Sequence, residues 1–225
     1  MHAPLLILSL MAFAADDAVP PAVSKPEFHE RATAAVRETV PEATVAPVRS
    51  KNIHLPDWKI EHPLGERRFY TAVVGQSLVA PIRKFVAVEA DGTVRYPFTA
   101  AELDEMLARR DKSAWKDEDF VNAATLRIHL SGVENEDGWK VLRKPDDFLA
   151  IRFNMPQAGP AAAARAKAAE RIAAPVVSHE DGTTRVTLYA WHLIGGALKK
   201  WEIAFDQKVT AKEETLGLFG GGGYD

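Results

Sequence analysis

The chain has 225 residues, of which 47% are hydrophobic and 26% are charged, and its net charge at pH 7 is −3. This composition is typical of a soluble globular protein, and the small negative charge gives no general attraction to nucleic acid, so no nucleic-acid partner is expected. The absence of cysteine excludes a disulfide scaffold, a thiol nucleophile and a thiolate metal site.

The first residues, MHAPLLILSLMAFA, have the pattern of a secretory signal peptide. Residues 3–14 carry no charge, but this run is shorter than the roughly 20 apolar residues of a transmembrane helix. Residues 12–14, Ala-Phe-Ala, have the small-x-small form of a cleavage site. The alternative is a buried N-terminal strand or helix. We predict a signal peptide over residues 1–14, a periplasmic or secreted bacterial protein, and no transmembrane segment in the mature chain.

A proline-rich arm is predicted over residues 15–63, because half of the 14 prolines lie between residues 20 and 63. The arm is expected to be mostly extended, with one helix that begins at a capping box of Ser24 and Glu27 and ends near Val40. It is either a flexible spacer or a segment wrapped over the following domain. In the second case its anchors are Phe28, Ile53 and Trp58.

Residues 64–219 are predicted to form a single α+β domain, which begins with strands between residues 68 and 98. Asp91-Gly92 is a strong signal for a two-residue hairpin loop, which would pair Ala87 with Tyr96. This register puts five apolar side chains on one face, which we assign to the core: Phe85, Ala87, Val94, Tyr96 and Phe98.

Helices are predicted in the middle of this domain. Thr99 and Glu102 form a capping box before a helix over 100–110, and acidic residues at 117–119 begin a second helix, although 126–130 could also form a late strand. Pro145 begins a short third helix. The alanine-rich stretch 161–174 is predicted to be a connector helix that buries little, and the glycine-rich residues 220–225 a flexible tail.

The C-terminal part of the chain predicts a meander of four antiparallel strands. A two-residue loop at Gly195-Gly196 would pair Ala190 with Trp201, Leu188 with Ile203 and Val186 with Phe205, which makes one face apolar. A turn at Asp181-Gly182 would bring Val177 opposite Val186 on that face. The predicted fold class is therefore α+β: an antiparallel sheet built from β-hairpins and a C-terminal meander, packed on one face by helices, with an extended proline-rich N-terminal arm.

Two patterns could carry chemistry, but each has a simpler interpretation. Ser113 and Lys116 match the Ser-x-x-Lys pattern of serine β-lactamases, but the companion motifs of that family are missing, which favours a solvated loop. Four possible metal ligands lie within nine residues, although two prolines break the segment: His54, Asp57, Glu61 and His62. No catalytic residue, metal ligand or cofactor is predicted.

The outer face of the C-terminal hairpin is the candidate binding surface. Tyr189, Trp191 and Lys200 lie there, with His192 and Lys199 nearby, and exposed aromatic side chains beside lysines could bind a ligand, a sugar chain or another protein. They could also be structural, either stacked across the strands or covered by a helix. We predict an exported, non-catalytic envelope or extracellular protein that binds a small ligand or an envelope protein on a sheet face. The alternative is a small secreted hydrolase whose site is assembled from residues distant in sequence.

Overall fold

The computed structural model describes residues 25–47, 68–76, 81–131, 139–151, 159–192 and 195–219. The helices in these ranges are α1 (Lys25–Thr39), α2 (Ala100–Ala108), α3 (Asp117–His129), α4 (Pro145–Leu149) and α5 (Pro160–Ala169). The strands are β1 (Thr44–Pro47), β2 (Arg68–Gln76), β3 (Pro81–Val88), β4 (Val94–Arg95), β5 (Trp139–Leu142), β6 (Val176–Glu180), β7 (Thr183–His192), β8 (Ala197–Phe205) and β9 (Val209–Leu218). Helices combined with antiparallel sheets confirm the predicted α+β class.

The N-terminal sheet has the strand order β1-β2-β3-β4, and α1 packs on one of its faces. Phe28, Ala32 and Val36 lie at helical spacing, and they are buried in one cluster with the alternate residues of β2 and β3. The described part of the arm is thus packed against the domain, as the wrapped alternative requires. Ser24, Ile53 and Trp58 lie outside the described residues.

The main core lies between the two sheets and includes α2 and α3. The other face of the N-terminal sheet contributes Phe69, Phe85 and Ala87 to a cluster with these helices and with the C-terminal sheet. The predicted cap of α2 is confirmed, because the Thr99 hydroxyl accepts the backbone N–H of Glu102 and the Glu102 carboxylate accepts the backbone N–H of Thr99. Residues 117–129 form one helix, which excludes the alternative of a strand over its last turn.

The hairpin between β3 and β4 corrects the predicted register. Its loop spans residues 89–93, so Ala87 pairs with Arg95 and not with Tyr96. The Asp91 carboxylate accepts the N–H of Thr93, and Gly92, with φ +85°, donates to the Glu89 carbonyl. Because the strand register differs from the prediction by one residue, Val94 and Tyr96 lie on the opposite face of the sheet, toward α1.

The C-terminal sheet has the order β5-β7-β8-β9, with β6 also paired to β7. The turn at Asp181-Gly182 and the Val177–Val186 pair are confirmed, and both turn residues have positive φ. The β7–β8 register is shifted by two residues from the prediction: Leu188 pairs with Trp201, and His192 pairs with Ala197. Because the shift is even, every side chain keeps its predicted face.

The two faces of this sheet are covered differently. The face toward α2 and α3, called the inner face, carries Leu188 and Ile203, which are fully buried as predicted. The opposite, outer face is partly covered by α4 and α5. Arg165 of α5 donates to the carbonyls of Phe148, Leu149 and Ile151, which holds α5 against the C-terminal end of α4.

The alanine-rich helix differs from the expected connector. It ends at Ala169, and the buried side chains of Ala168, Ala169 and Ile172 pack into the cluster on the outer face. Small alanine side chains allow this close approach, so the segment contributes to a core despite its low hydrophobic content. Among the described residues, no helix combines the length and apolar character needed to cross a bilayer. The predicted signal peptide and the tail at 220–225 lie outside the described residues, and the domain boundaries stay predictions.

Candidate functional site

The five predicted binding residues divide between the two faces of the C-terminal sheet and do not form one site. Tyr189 pairs with Lys200 on the outer face, and both are partly exposed. Trp191 shares that face. His192 and Lys199 lie on the inner face, since side chains alternate along each strand.

Trp191 is not an exposed anchor. Its side chain has 0% exposure and lies under α4, α5 and the end of β9, with ring centroids 5.4 Å from Phe148 and 6.2 Å from Phe219. The alternation along β7 correctly placed it on the outer face. It could not show that helices distant in the sequence cover this end of the face. The structural interpretation, in which a helix covers the residue, is the correct one.

The exposed part of the outer face is a ladder of opposite charges. Arg185 lies 3.4 Å from Glu202, and Arg171 lies 3.3 Å from Glu214. Lys200 has Glu214 as its partner on β9. Positive and negative groups thus alternate across the strands around Tyr189, an arrangement typical of a solvated sheet face.

At one end of the inner face, four side chains form what we call the rim cluster: Trp139, His192, Lys199 and Glu213. The Lys199 ammonium lies 2.6 Å from a Glu213 carboxylate oxygen and 5.3 Å from the centre of the Trp139 ring. The Trp139 and His192 rings are 4.5 Å apart. The Lys199 side chain is 19% exposed and that of Glu213 46%. The cluster is therefore half-buried and reachable from solvent.

The hydrogen bonding of His192 fixes its tautomer. The backbone N–H of Gly195 donates to Nδ1 over 2.9 Å, so the neutral imidazole carries its proton on Nε2. A Cβ at position 195 would lie 2.7 Å from Nδ1, so glycine permits this approach. Burial lowers the pKa of His192, the Lys199 ammonium lowers it further, and Glu213 acts in the opposite direction. His192 is thus held neutral, with an Nε2–H that can donate to a ligand.

Trp139 and Glu213 were missed from the sequence. Trp139 pairs with His192 across the β5–β7 ladder, and Glu213 faces Trp201 across the β8–β9 ladder. The β8–β9 pairing belongs to the predicted meander, which gave no register for Glu213, whereas the β5–β7 pairing joins distant segments and has no local signal. Ser113 and Lys116, which match the Ser-x-x-Lys pattern, also do not form a catalytic pair. Ser113 is exposed in the loop before α3, while Lys116 is the N-cap of that helix.

In the ranges that the structure describes, no group of three or more His, Asp or Glu side chains could hold a metal ion. The segment with His54, Asp57, Glu61 and His62 lies outside them.

No protein family, curated protein or solved structure matches the chain.

Proposed function

We propose that this is a non-catalytic protein that binds a small ligand or a protein partner at the rim cluster, on the inner face of the C-terminal sheet. The observation that carries the proposal is the juxtaposition of two hydrogen-bond donors, Lys199 and His192, over the aromatic ring of Trp139. Partly buried donors beside an aromatic surface are the usual elements of a ligand subsite.

The donors define the ligand chemistry. Nε2–H of His192 has no hydrogen-bond partner among the described residues, and one of the three ammonium protons of Lys199 is directed to Glu213. A carboxylate, sulfonate or amide oxygen would accept from both. Because Glu213 already neutralises Lys199, a compact acceptor group fits this site better than a multiply charged one.

Export is part of the same proposal and is supported by the signal-like pattern of residues 1–14. Mass spectrometry of the protein purified from its native host should find a mature N-terminus near Ala15. An intact Met1 in most of the material would contradict export.

Two neighbouring lysines provide a matched pair of variants for the binding test. Lys199 and Lys200 are adjacent in sequence but face opposite sides of the sheet. We would screen wild type, Lys199→Gln and Lys200→Gln by saturation-transfer NMR against a panel of small carboxylates, sulfonates and amides. The His192→Gln variant removes the second donor.

A panel member should bind the wild type and Lys200→Gln, and should lose most of its saturation transfer with Lys199→Gln and His192→Gln. Equal binding by all four proteins would reject the rim cluster, and no binding by any panel member would reject a small-ligand site of this chemistry. Hydrolysis of p-nitrophenyl esters that disappears with His192→Gln would support the alternative of a secreted hydrolase.

A further inference from the structure

A separate cleft of about 270 Å³ lies between the end of β4 and the C-terminal half of α2. We call it the arginine cleft, because three of the side chains that line it are guanidinium groups: Arg95, Arg109 and Arg110. The other lining residues are two glutamates and two apolar residues: Glu102, Glu105, Phe98 and Met106. None of these belongs to the rim cluster.

The residues that line the cleft carry three positive and two negative charges, because arginine keeps its charge in proteins. Glu89, which is outside the lining, balances Arg95 from one side. Glu102 is held in the α2 cap, where its carboxylate accepts the Thr99 N–H at 2.8 Å and the Thr99 hydroxyl at 3.0 Å. Glu105 lies 3.8 Å from Arg109, and both side chains are more than two-thirds exposed, so this pair neutralises the cleft only weakly.

The guanidinium groups come from two elements that the fold brings together. Arg95 ends β4, and its Nε is 3.0 Å from Glu89 on the loop side of the strand. Arg109 and Arg110 follow the last turn of α2, whose dipole partly explains their presence there. That dipole does not account for Arg95. Three planar donors around one cavity match the fork geometry with which arginine binds oxyanions.

We propose that the arginine cleft binds a small oxyanion, a phosphate or a carboxylate, with Arg95, Arg109 and Arg110 as its ligands. Phe98 and Met106 provide an apolar wall for a short organic part of the ligand. The proposal is independent of the function proposed for the rim cluster.

The test uses inorganic phosphate and benzoate as separate probes, titrated into ¹⁵N-labelled protein against sodium chloride of equal ionic strength. Backbone shifts should concentrate in residues 95–110. Each of Arg95→Gln, Arg109→Gln and Arg110→Gln should weaken binding at least about fivefold, the effect of losing one charge-assisted hydrogen bond at a partly exposed site.

Arg171→Gln is the control, because Arg171 is an exposed arginine paired with Glu214 on the other sheet face. It should bind the probe as the wild type does. Binding of phosphate alone would assign the site to phosphate esters, and tighter binding of benzoate would assign it to carboxylates with an apolar part. Binding no stronger than that of chloride, or equal affinity in all four variants, would overturn the proposal.

Discussion

Acidification should destabilise this protein through His129, a buried histidine near the end of α3. Its side chain is 1% exposed, and neither ring nitrogen has a hydrogen-bond partner among the described residues. Burial alone lowers its pKa from the ordinary value of 6.5 to about 4. Lowering the pH from 7.5 to 5 crosses the ordinary pKa of histidine but stays above that of buried His129.

The sign of the effect follows from the lowered pKa. The unfolded chain binds the proton near pH 6.5 and the folded protein only near pH 4, so stability is complete above about 6.5 and falls as the pH drops toward 4. For one group with these two values, the loss in the free energy of unfolding is about 2 kcal/mol at pH 5 and about 3 kcal/mol at pH 4.

Urea unfolding at pH 7.5 and pH 5 measures this loss. The control variant, His129→Leu, removes the titrating group and breaks no hydrogen bond with a described residue. Groups other than His129 titrate in both proteins, so their contributions cancel. The wild type should lose about 2 kcal/mol more than the variant between the two pH values. Equal losses, or an NMR titration of His129 with a midpoint near its ordinary pKa, would refute the argument.

Three further predictions concern stability and are all measured by urea unfolding. Trp191→Ala should lower the free energy of unfolding by roughly 3–5 kcal/mol, because it removes a fully buried ring; a loss under about 1 kcal/mol would show that the ring is exposed. Leu188→Ala should lower the free energy of unfolding by roughly 2–5 kcal/mol, and Lys200→Ala by under about 1 kcal/mol, because Leu188 is buried on the inner face and Lys200 lies on the outer face. Equal losses would contradict this assignment of faces. Asp104→Ala should lower the free energy of unfolding by roughly 1–3 kcal/mol, because Arg127 Nε lies 2.7 and 2.8 Å from the two oxygens of that half-buried carboxylate. An unchanged unfolding midpoint would show that this ion pair does not stabilise the fold.

Local signals predicted the elements well because their causes are local. The α2 cap depends on Thr99 and Glu102, three residues apart, and the turn at Asp181-Gly182 depends on the positive φ of two adjacent residues. The inward face of β7 and β8 was also correct. Alternation fixes the face of a side chain even when the register shifts by two, as it does here.

Long-range packing could not be predicted in the same way. The burial of Trp191 depends on α4 and α5, which cover it from sequence positions at least 22 residues away. The five-residue loop at 89–93 moved Val94 and Tyr96 to the other face, since side-chain hydrogen bonds at Asp91 favoured it over a two-residue turn. The rim cluster needs the β5–β7 pairing, which places Trp139 beside His192 from a distant segment, whereas the β8–β9 pairing that brings Glu213 to Lys199 is a hairpin of the predicted meander.

NMR of the ring groups of the rim cluster would report ligand binding at the site itself. A ligand selected from the panel would be titrated while the imidazole signals of His192 and the indole N–H of Trp139 are followed. Both should shift along one saturable curve, while the ring signals of Tyr189, on the outer face, stay unchanged. Shifts confined to Tyr189 or to the arginine cleft, with His192 and Trp139 unaffected, would show that the ligand does not bind at the rim cluster.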